Sequence, residues 1–175
     1  RLLKLHLLLD QYKPDIVVEW GCGTSSAIID NYAVKHPSAI SYTVDRNQNW
    51  LQTTKAKINS TCHNHLFLTY EDFLDDLPQF KNYTRVLFYL DAAMMYLDLN
   101  QDEPQPDPDD YLGATTMSNI LPNTEYYTGE FICFIDSRID AVVHSHLFAD
   151  KLAKPLYAKS NMLAPAASLL VHFQR

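Results

Sequence analysis

Short runs rich in β-branched and aromatic residues alternate with helix-length segments along most of this chain. The runs that predict strands cover residues 16–19, 40–44, 65–69, 86–90 and 131–135. The run at 86–90 is apolar throughout, as is typical of a strand buried on both faces of a parallel sheet. Repeated strand–helix alternation implies right-handed crossovers. We therefore expect an α/β fold, a three-layer sandwich with a mostly parallel sheet.

Proline positions and spaced apolar residues predict the helices between these strands. We expect one helix capped by Thr24, Ser25 or Ser26 and another opened by Asn47 or Asn49. The first of these two helices is predicted to end at about Lys35, and the second contains Trp50, Leu51, Lys55 and Ile58. Further predicted helices cover residues 2–12, 71–77, 111–121 and 139–152. Two last runs, near Tyr157 and at 168–173, predict a C-terminal antiparallel hairpin. We expect one domain over residues 1–175.

One segment departs from this pattern. Residues 98–110 are rich in acidic side chains and contain three prolines, Pro104, Pro106 and Pro108. Such a composition predicts an extended, solvated insertion loop. The sequence leaves open whether this loop covers an acceptor site or is a mobile insertion.

The net charge and the cysteine content of the chain disfavour some classes of function. The 175 residues include 14 basic and 21 acidic side chains, for a net charge of −7. A surface this negative disfavours general nucleic-acid or anionic-membrane binding, and no apolar stretch is long enough to span a bilayer. Three scattered cysteines favour a reducing compartment, so we expect a cytoplasmic protein. Because Arg1 stands where an initiator methionine would, we expect a trimmed or processed chain.

A carboxylate stands at the end of each of the five strands predicted before the C-terminal hairpin. These residues are Glu19, Asp45, Glu71 with Asp72, Asp91 and Asp136. In open α/β sheets the ligand binds outside the carboxyl ends of the strands, near the point where the strand order reverses. The sequence therefore predicts a ligand crevice with acidic walls at this edge.

A glycine-containing loop follows the first predicted strand. Gly21 and Gly23 allow a tight turn close to a ligand, but Ser26 stands where the dinucleotide fingerprint has its third glycine. Glu19 would repel a diphosphate and suits a ligand that carries an amino group and a sulfonium. Asp45, after the second strand, is placed to accept both hydroxyls of a ribose.

These residues resemble the motifs of class I S-adenosylmethionine-dependent methyltransferases, which have a Rossmann-like fold. Residues 17–25 are similar to that family's first motif, an acidic residue followed by G-x-G. Asp45 matches the family's ribose-binding acid, and residues 71–73 resemble its acidic segment facing the adenine. Asp91 matches the acid beside the methyl donor and the substrate. The resemblance extends over nearly the whole chain.

The resemblance implies S-adenosylmethionine as the cofactor and a methyltransferase activity. Glu19 is expected to meet the methionine amino group, and Asp91 and His144 are the expected catalytic residues, His144 as a base. The expected cofactor-binding residues are Glu19, Trp20, Gly21, Cys22, Gly23, Asp45, Arg46, Asp72, Phe73 and Asp91.

Small-molecule O-methyltransferases of this family hold a divalent cation between acids after the fourth and fifth strands. Asp91 and Asp136 are the matching residues, and two carboxylates with water suit Mg²⁺. Arg138 departs from the family pattern and offers its own charge in place of the cation. The asparagine-proline-proline-aromatic motif of amino-methylating enzymes is absent at residues 91–94, which favours a small hydroxylated acceptor, a sugar included. The oligomeric state is left open.

Two other functions fit the same pattern. A NAD(P)-dependent Rossmann oxidoreductase would share the fold and Asp45, and a methyltransferase-like scaffold would share the pocket without turnover. Several residues also have simpler interpretations. Asp45 and Asp72 are candidate helix caps, and Glu19 is a candidate surface ion-pair partner. For Cys22, packing within the loop is favoured over a role as a nucleophile.

Overall fold

The computed structural model of the chain describes residues 2–76, 83–90, 130–136, 157–161 and 168–174. Helices and strands alternate through the first part of the chain. They are α1 Leu2–Tyr12, β1 Ile16–Trp20, α2 Ser26–Lys35, β2 Ile40–Val44, α3 Gln48–Ile58, β3 His65–Leu68, α4 Tyr70–Asp76, β4 Arg85–Leu90, β5 Glu130–Asp136, β6 Tyr157–Asn161 and β7 Ser168–Gln174.

The strands form one seven-stranded sheet in the order β3-β2-β1-β4-β5-β7-β6. Neighbouring strands from β3 to β5 are parallel, which confirms the predicted α/β fold with a mostly parallel sheet. β7 pairs antiparallel with both β5 and β6. Residues 162–167, which would connect β6 to β7, lie outside the described residues, so the hairpin itself stays a prediction.

β1 lies in the middle of the parallel strands and defines the edge where the site is found. In its register Trp20 stands beside Val44 of β2 on one side and Leu90 of β4 on the other. The chain runs from β1 to β2 in one direction and returns to β4 in the other, so the strand order reverses at β1. Ligand crevices form at this reversal in open α/β sheets.

Each face of the sheet is covered by helices. On one face, which we call the α2 face, Val17 and Leu87 belong to an apolar cluster with side chains of α1 and α2. The cluster comprises Leu5, Leu9, Val17, Ile29, Tyr32, Ala39, Leu87, Tyr89, Ile132 and Phe134. On the other face Trp20 and Tyr42 pack edge-on against Phe73 of α4, at ring-centroid distances of 5.6 and 5.4 Å.

The two predicted helix caps have different outcomes. Asn47 caps α3 as predicted, because its side-chain oxygen accepts a hydrogen bond from the backbone N–H of Trp50 at 3.0 Å. The predicted side-chain cap of α2 is wrong. Ser25 occupies the capping position in a helical conformation and makes no side-chain cap hydrogen bond. The hydroxyl of Ser26 is bonded to Glu19 instead, a partner that lies in another element.

Several predictions lie outside the described residues. These are the insertion loop at 98–110 and the helices at 111–121 and 139–152. Among the residues that are described, no helix combines the length and apolar character that a membrane span needs.

Asp15 joins β1 to β4 at the edge of the sheet opposite the glycine loop. Its Oδ2 accepts hydrogen bonds from the Thr84 N–H at 3.1 Å, the Thr84 hydroxyl at 2.6 Å and the Arg85 N–H at 3.0 Å. The backbone of Asp15 also bonds to Arg85 and Ile40. One carboxylate therefore aligns the starts of two neighbouring strands.

We expect Asp15→Ala to lower the free energy of unfolding by about 1–3 kcal/mol, because it leaves two backbone donors without their acceptor. Asp10→Ala is the matched control, since the Asp10 side chain is 62% exposed in a surface pair with His6. Urea denaturation of both variants measures the difference. Equal midpoints for Asp15→Ala and Asp10→Ala would contradict this role of Asp15.

Candidate functional site

The glycine loop between β1 and α2 forms the floor of the site. Gly21 has a φ of 89°, a conformation that side-chain-bearing residues rarely adopt, and its N–H donates to the Val44 carbonyl at 2.8 Å. At Gly23 a Cβ would meet nothing within 4 Å, so the space beside this residue is open. The loop thus turns sharply after β1, and at its glycines only backbone atoms face the edge of the sheet.

Asp45 connects this loop to the end of β2. Its Oδ2 accepts the N–H of Cys22 at 3.1 Å, and its Oδ1 accepts the N–H of Asn47 at 2.9 Å. Of the two interpretations of Asp45, helix capping is wrong, because Asn47 caps α3. The carboxylate is half-buried between two strand ends, and each of its oxygens keeps a further lone pair for a ligand donor.

Trp50 is a site residue that the sequence analysis treated only as part of the helix pattern. Its indole N–H donates to the Cys22 carbonyl at 2.9 Å, while the side chain stays exposed. Lys57 lies 5.2 Å from the ring centroid, in a cation–π contact. A large aromatic residue three positions after a capping asparagine was the available signal, but its contact with Cys22 depends on the fold.

Glu19 lies beneath the loop rather than in an open crevice. The residue is 0% exposed, and its Oε2 accepts the Ser26 hydroxyl at 2.6 Å and the Thr43 hydroxyl at 2.7 Å. Ser26 in turn accepts the N–H of Gly23 at 3.0 Å. The Glu19 carboxyl group is thus buried, and its expected contact with a ligand amino group stays a prediction. The interpretation as a surface ion pair is wrong for the same reason.

Trp20 and Phe73 form a buried aromatic support below the same edge. Both residues are 0% exposed, and Trp20 also contacts the ring of Tyr70 at 5.1 Å. The indole N–H of Trp20 has no acceptor among the described residues. Any contact of these two residues with a ligand would involve their backbone, and their rings fix the position of α4 against β1.

Asp72 and Arg46 are exposed at the two sides of the edge. The Asp72 carboxylate accepts the Thr69 hydroxyl at 2.8 Å, and Thr69 Oγ1 accepts the Asp72 N–H at 3.3 Å. Thr69 rather than Asp72 therefore occupies the position of the cap for α4, in a reciprocal arrangement like the capping box. Arg46 follows Asp45 directly, so this exposed side chain lies next to the residue predicted to bind the ribose.

Cys22 is a packing residue of the loop. Burial raises the pKa of its thiol to about 12, and the negative charges of Asp45 and Glu19 act in the same direction. The sulfur lies 3.5 Å from the Thr54 hydroxyl of α3. A thiol that stays protonated at neutral pH is a poor nucleophile, so the loop-packing interpretation fits the structure.

The structure leaves the predicted catalytic and metal-binding residues untested. Asp91, Arg138 and His144 lie outside the described residues, and Asp136 is described only as the last residue of β5, paired with Ser168. Within the described ranges no group of three or more His, Cys, Asp or Glu side chains is placed to hold a metal ion. The Mg²⁺ site at Asp91 and Asp136 remains a prediction.

Comparison with known proteins supports the fold and not a close relationship. Neither a protein-family model nor a curated protein sequence matches the chain. Similar solved structures include an O-methyltransferase from Bacillus cereus in complex with S-adenosylhomocysteine, 14% identical, with a TM-score of 0.64. Another is the O-methyltransferase TomG from Streptomyces achromogenes in complex with S-adenosylmethionine, 13% identical, with a TM-score of 0.62.

Both matches cover 98% of this chain, and they cover 79% of the Bacillus protein and 78% of the Streptomyces protein. A precorrin-6y C5,15-methyltransferase from Geobacter metallireducens is 13% identical, with a TM-score of 0.57 over 98% of this chain and 88% of that one. The fold is therefore shared with methyltransferases that act on different kinds of acceptor. The chain has the Rossmann-like fold of class I S-adenosylmethionine-dependent methyltransferases.

Proposed function

We propose that this chain binds S-adenosylmethionine at the carboxyl edge of β1 and β2 and transfers its methyl group to a small hydroxylated acceptor. The observation that carries the proposal is that backbone N–H groups of the glycine loop donate hydrogen bonds within the protein. The N–H groups of Gly21, Cys22 and Gly23 donate to Val44, Asp45 and Ser26, all within the protein. A pyrophosphate needs free N–H donors at this loop, whereas a sulfonium nucleoside does not.

The charge at this edge supports the same ligand. Asp45 presents a half-buried carboxylate with acceptor capacity for ribose hydroxyls, and Asp72 adds a second negative side chain at the neighbouring strand end. Such an edge attracts a cationic nucleoside and repels a phosphorylated one. This combination favours the methyl donor over NAD(P), although both ligands occur on Rossmann-like folds.

In the proposed complex the residues of this chain act mainly by binding and orientation. Asp45 accepts the ribose hydroxyls, the backbone beside Gly23 lines the methionine portion, and Glu19 holds Ser26 in place below. S-adenosylmethionine supplies a methyl group that is bound to a positively charged sulfur. The rest of the molecule leaves as a neutral thioether. The acceptor oxygen forms its bond to carbon as the carbon–sulfur bond breaks, and catalysis needs chiefly alignment and a base for the acceptor proton.

Asp91 and His144 are the proposed residues for the acceptor side, Asp91 at the acceptor or base position and His144 as a second candidate base. With Asp136, Asp91 is also the proposed holder of Mg²⁺, where carboxylate oxygens suit this hard cation. Absence of the amino-methylating motif at residues 91–94 supports oxygen as the methylated atom. The acidic net charge supports a small molecule rather than a nucleic acid as the acceptor.

We expect isothermal calorimetry to detect binding of S-adenosylmethionine and S-adenosylhomocysteine and no binding of NAD. Asp45→Ala should weaken donor binding roughly ten- to hundredfold, since a hydrogen bond to a charged group contributes about 1.5–3 kcal/mol. Asp10→Ala removes the same charge from an exposed position of helix α1 and should leave the affinity unchanged.

The outcomes of this titration separate the three functions. Binding of NAD without the methyl donor would favour the oxidoreductase. Binding of the donor without formation of S-adenosylhomocysteine from any sugar or catechol acceptor would favour the scaffold. Donor affinity that is equal in Asp45→Ala and the unaltered protein would show that the ligand binds elsewhere.

Trp50→Phe keeps an aromatic ring on α3 but removes the N–H that bonds to the Cys22 carbonyl. We expect donor affinity to fall about fivefold, the effect of roughly 1 kcal/mol, with little change in stability because the side chain is 44% exposed. Calorimetry and urea denaturation measure the two effects. A large loss of stability with unchanged affinity would contradict the assignment of Trp50 to the site.

A further inference from the structure

A closed series of hydrogen bonds joins four residues at the carboxyl edge of β1 and β2. We call these residues, Asp45, Asn47, Trp50 and Cys22, the Asp45 network. Asp45 Oδ1 accepts the Asn47 N–H at 2.9 Å, and Asn47 Oδ1 accepts the Trp50 N–H at 3.0 Å. The Trp50 indole N–H donates to the Cys22 carbonyl at 2.9 Å, and the Cys22 N–H donates to Asp45 Oδ2 at 3.1 Å. The series therefore begins and ends on the two oxygens of one carboxylate.

Sequence spacing accounts for three of these four residues. Asp45 and Asn47 are two positions apart, so the Asp45 side chain accepts the second backbone N–H along the chain, as in an Asx turn. Asn47 precedes Trp50 by three positions, the spacing at which a capping side chain accepts an N–H of the first helical turn. Helical side chains lean towards the helix N-terminus, and from there the Trp50 indole reaches Cys22. Only Cys22 comes from a distant segment.

Helix α3 holds Cys22 and Trp50 by two further contacts. The Thr54 hydroxyl, one turn after Trp50, lies 3.5 Å from the Cys22 sulfur. Lys57 lies 5.2 Å from the centroid of the Trp50 ring, in the cation–π contact described above. The middle residue of the glycine loop is thus tied to the end of β2 and to the first half of α3.

These contacts restrain the orientation of the Asp45 carboxylate. The last torsion of an aspartate side chain is broad, so a carboxylate without hydrogen-bond donors on both oxygens turns readily. Here one N–H from the glycine loop and one from the start of α3 fix the two oxygens separately. Each oxygen keeps a further lone pair, and its direction is set by the same two contacts. Binding of two neighbouring hydroxyls then costs less ordering of the protein.

We propose that Asn47 is a positioning residue for ligand recognition, because its side chain closes the network that orients the Asp45 carboxylate and the glycine loop. Asn47 acts through Trp50 and Asp45 and needs no contact of its own with the ligand. Without its side chain, the Trp50 N–H at the start of α3 loses its acceptor, and the Trp50 side chain holds the Cys22 carbonyl less firmly. The hydrogen-bond network is observed without a ligand, whereas its role in binding the ribose of the methyl donor rests on the proposed function.

The first test is amide hydrogen exchange of the unliganded protein, measured by NMR at the Cys22 N–H. Asn47→Ala should speed this exchange about two- to tenfold, the effect of weakening one hydrogen bond. Asn49→Ala is the matched control, since it removes the same amide group from an exposed position in the first turn of α3. Asn47→Ser keeps a capping oxygen and should restore slow exchange. Equal exchange at Cys22 in Asn47→Ala and in the unaltered protein overturns the proposal.

The second test is calorimetry with S-adenosylhomocysteine and with its 2′,3′-dideoxy analogue, which lacks the two ribose hydroxyls. Asn47→Ala should weaken binding of S-adenosylhomocysteine about three- to tenfold and leave binding of the analogue unchanged. Asn47→Ser and Asn49→Ala should bind both ligands as the unaltered protein does. A merely structural role of Asn47 would weaken both ligands by the same factor, and that result overturns the proposal.

The two tests separate this inference from the proposed function. If the unaltered protein does not bind S-adenosylhomocysteine, the proposed function fails and the recognition role of Asn47 fails with it, while hydrogen exchange still decides whether the network acts as a unit. Binding of S-adenosylhomocysteine that does not depend on Asn47 overturns this inference alone. Asn47→Gly removes the same side chain with less loss of helix stability, and it replaces Asn47→Ala if that variant does not fold.

Discussion

Internal satisfaction of backbone donors at the glycine loop is the constraint on which the site depends. A loop that leaves a buried strand and enters a helix exposes several N–H groups, and each must find water, a ligand or a protein acceptor. Here the loop amides bond to the end of β2, to the carboxylate that follows it and to the first residue of α2. The N–H groups of Gly21, Cys22 and Gly23 therefore all have acceptors within the protein, while Asp45 keeps acceptor capacity in its carboxylate oxygens.

The two faces of the sheet contribute to this arrangement in different ways. Aromatic packing of Trp20 and Tyr42 against Phe73 is dry and holds α4 in place by contact area. On the α2 face, Glu19, Thr43 and His65 bring polar atoms into the interior, where each hydrogen bond is strong and each missing proton is costly. The chain thus places aromatic packing under one side of the site and hydrogen-bonded polar side chains under the other.

Glu19 links two elements beneath the glycine loop. Its carboxyl group accepts the hydroxyl of Ser26, the first residue of α2, and the hydroxyl of Thr43 in β2. The buried carboxyl group therefore joins the start of α2 to β2 beneath the glycine loop.

Periodicity, prolines and strand-end carboxylates in the sequence were sufficient to predict the described elements from α1 to β5, the parallel sheet and the edge on which Asp45 and the glycine loop meet. These features are local, and parallel connectivity brings successive strand ends to one edge whatever the side-chain details. The tertiary structure alone decided that Ser26 bonds to Glu19 instead of capping α2, and that Trp50 reaches Cys22. Those outcomes depend on which groups from distant segments come within hydrogen-bond distance, because buried donors and acceptors pair by three-dimensional proximity and not by sequence spacing.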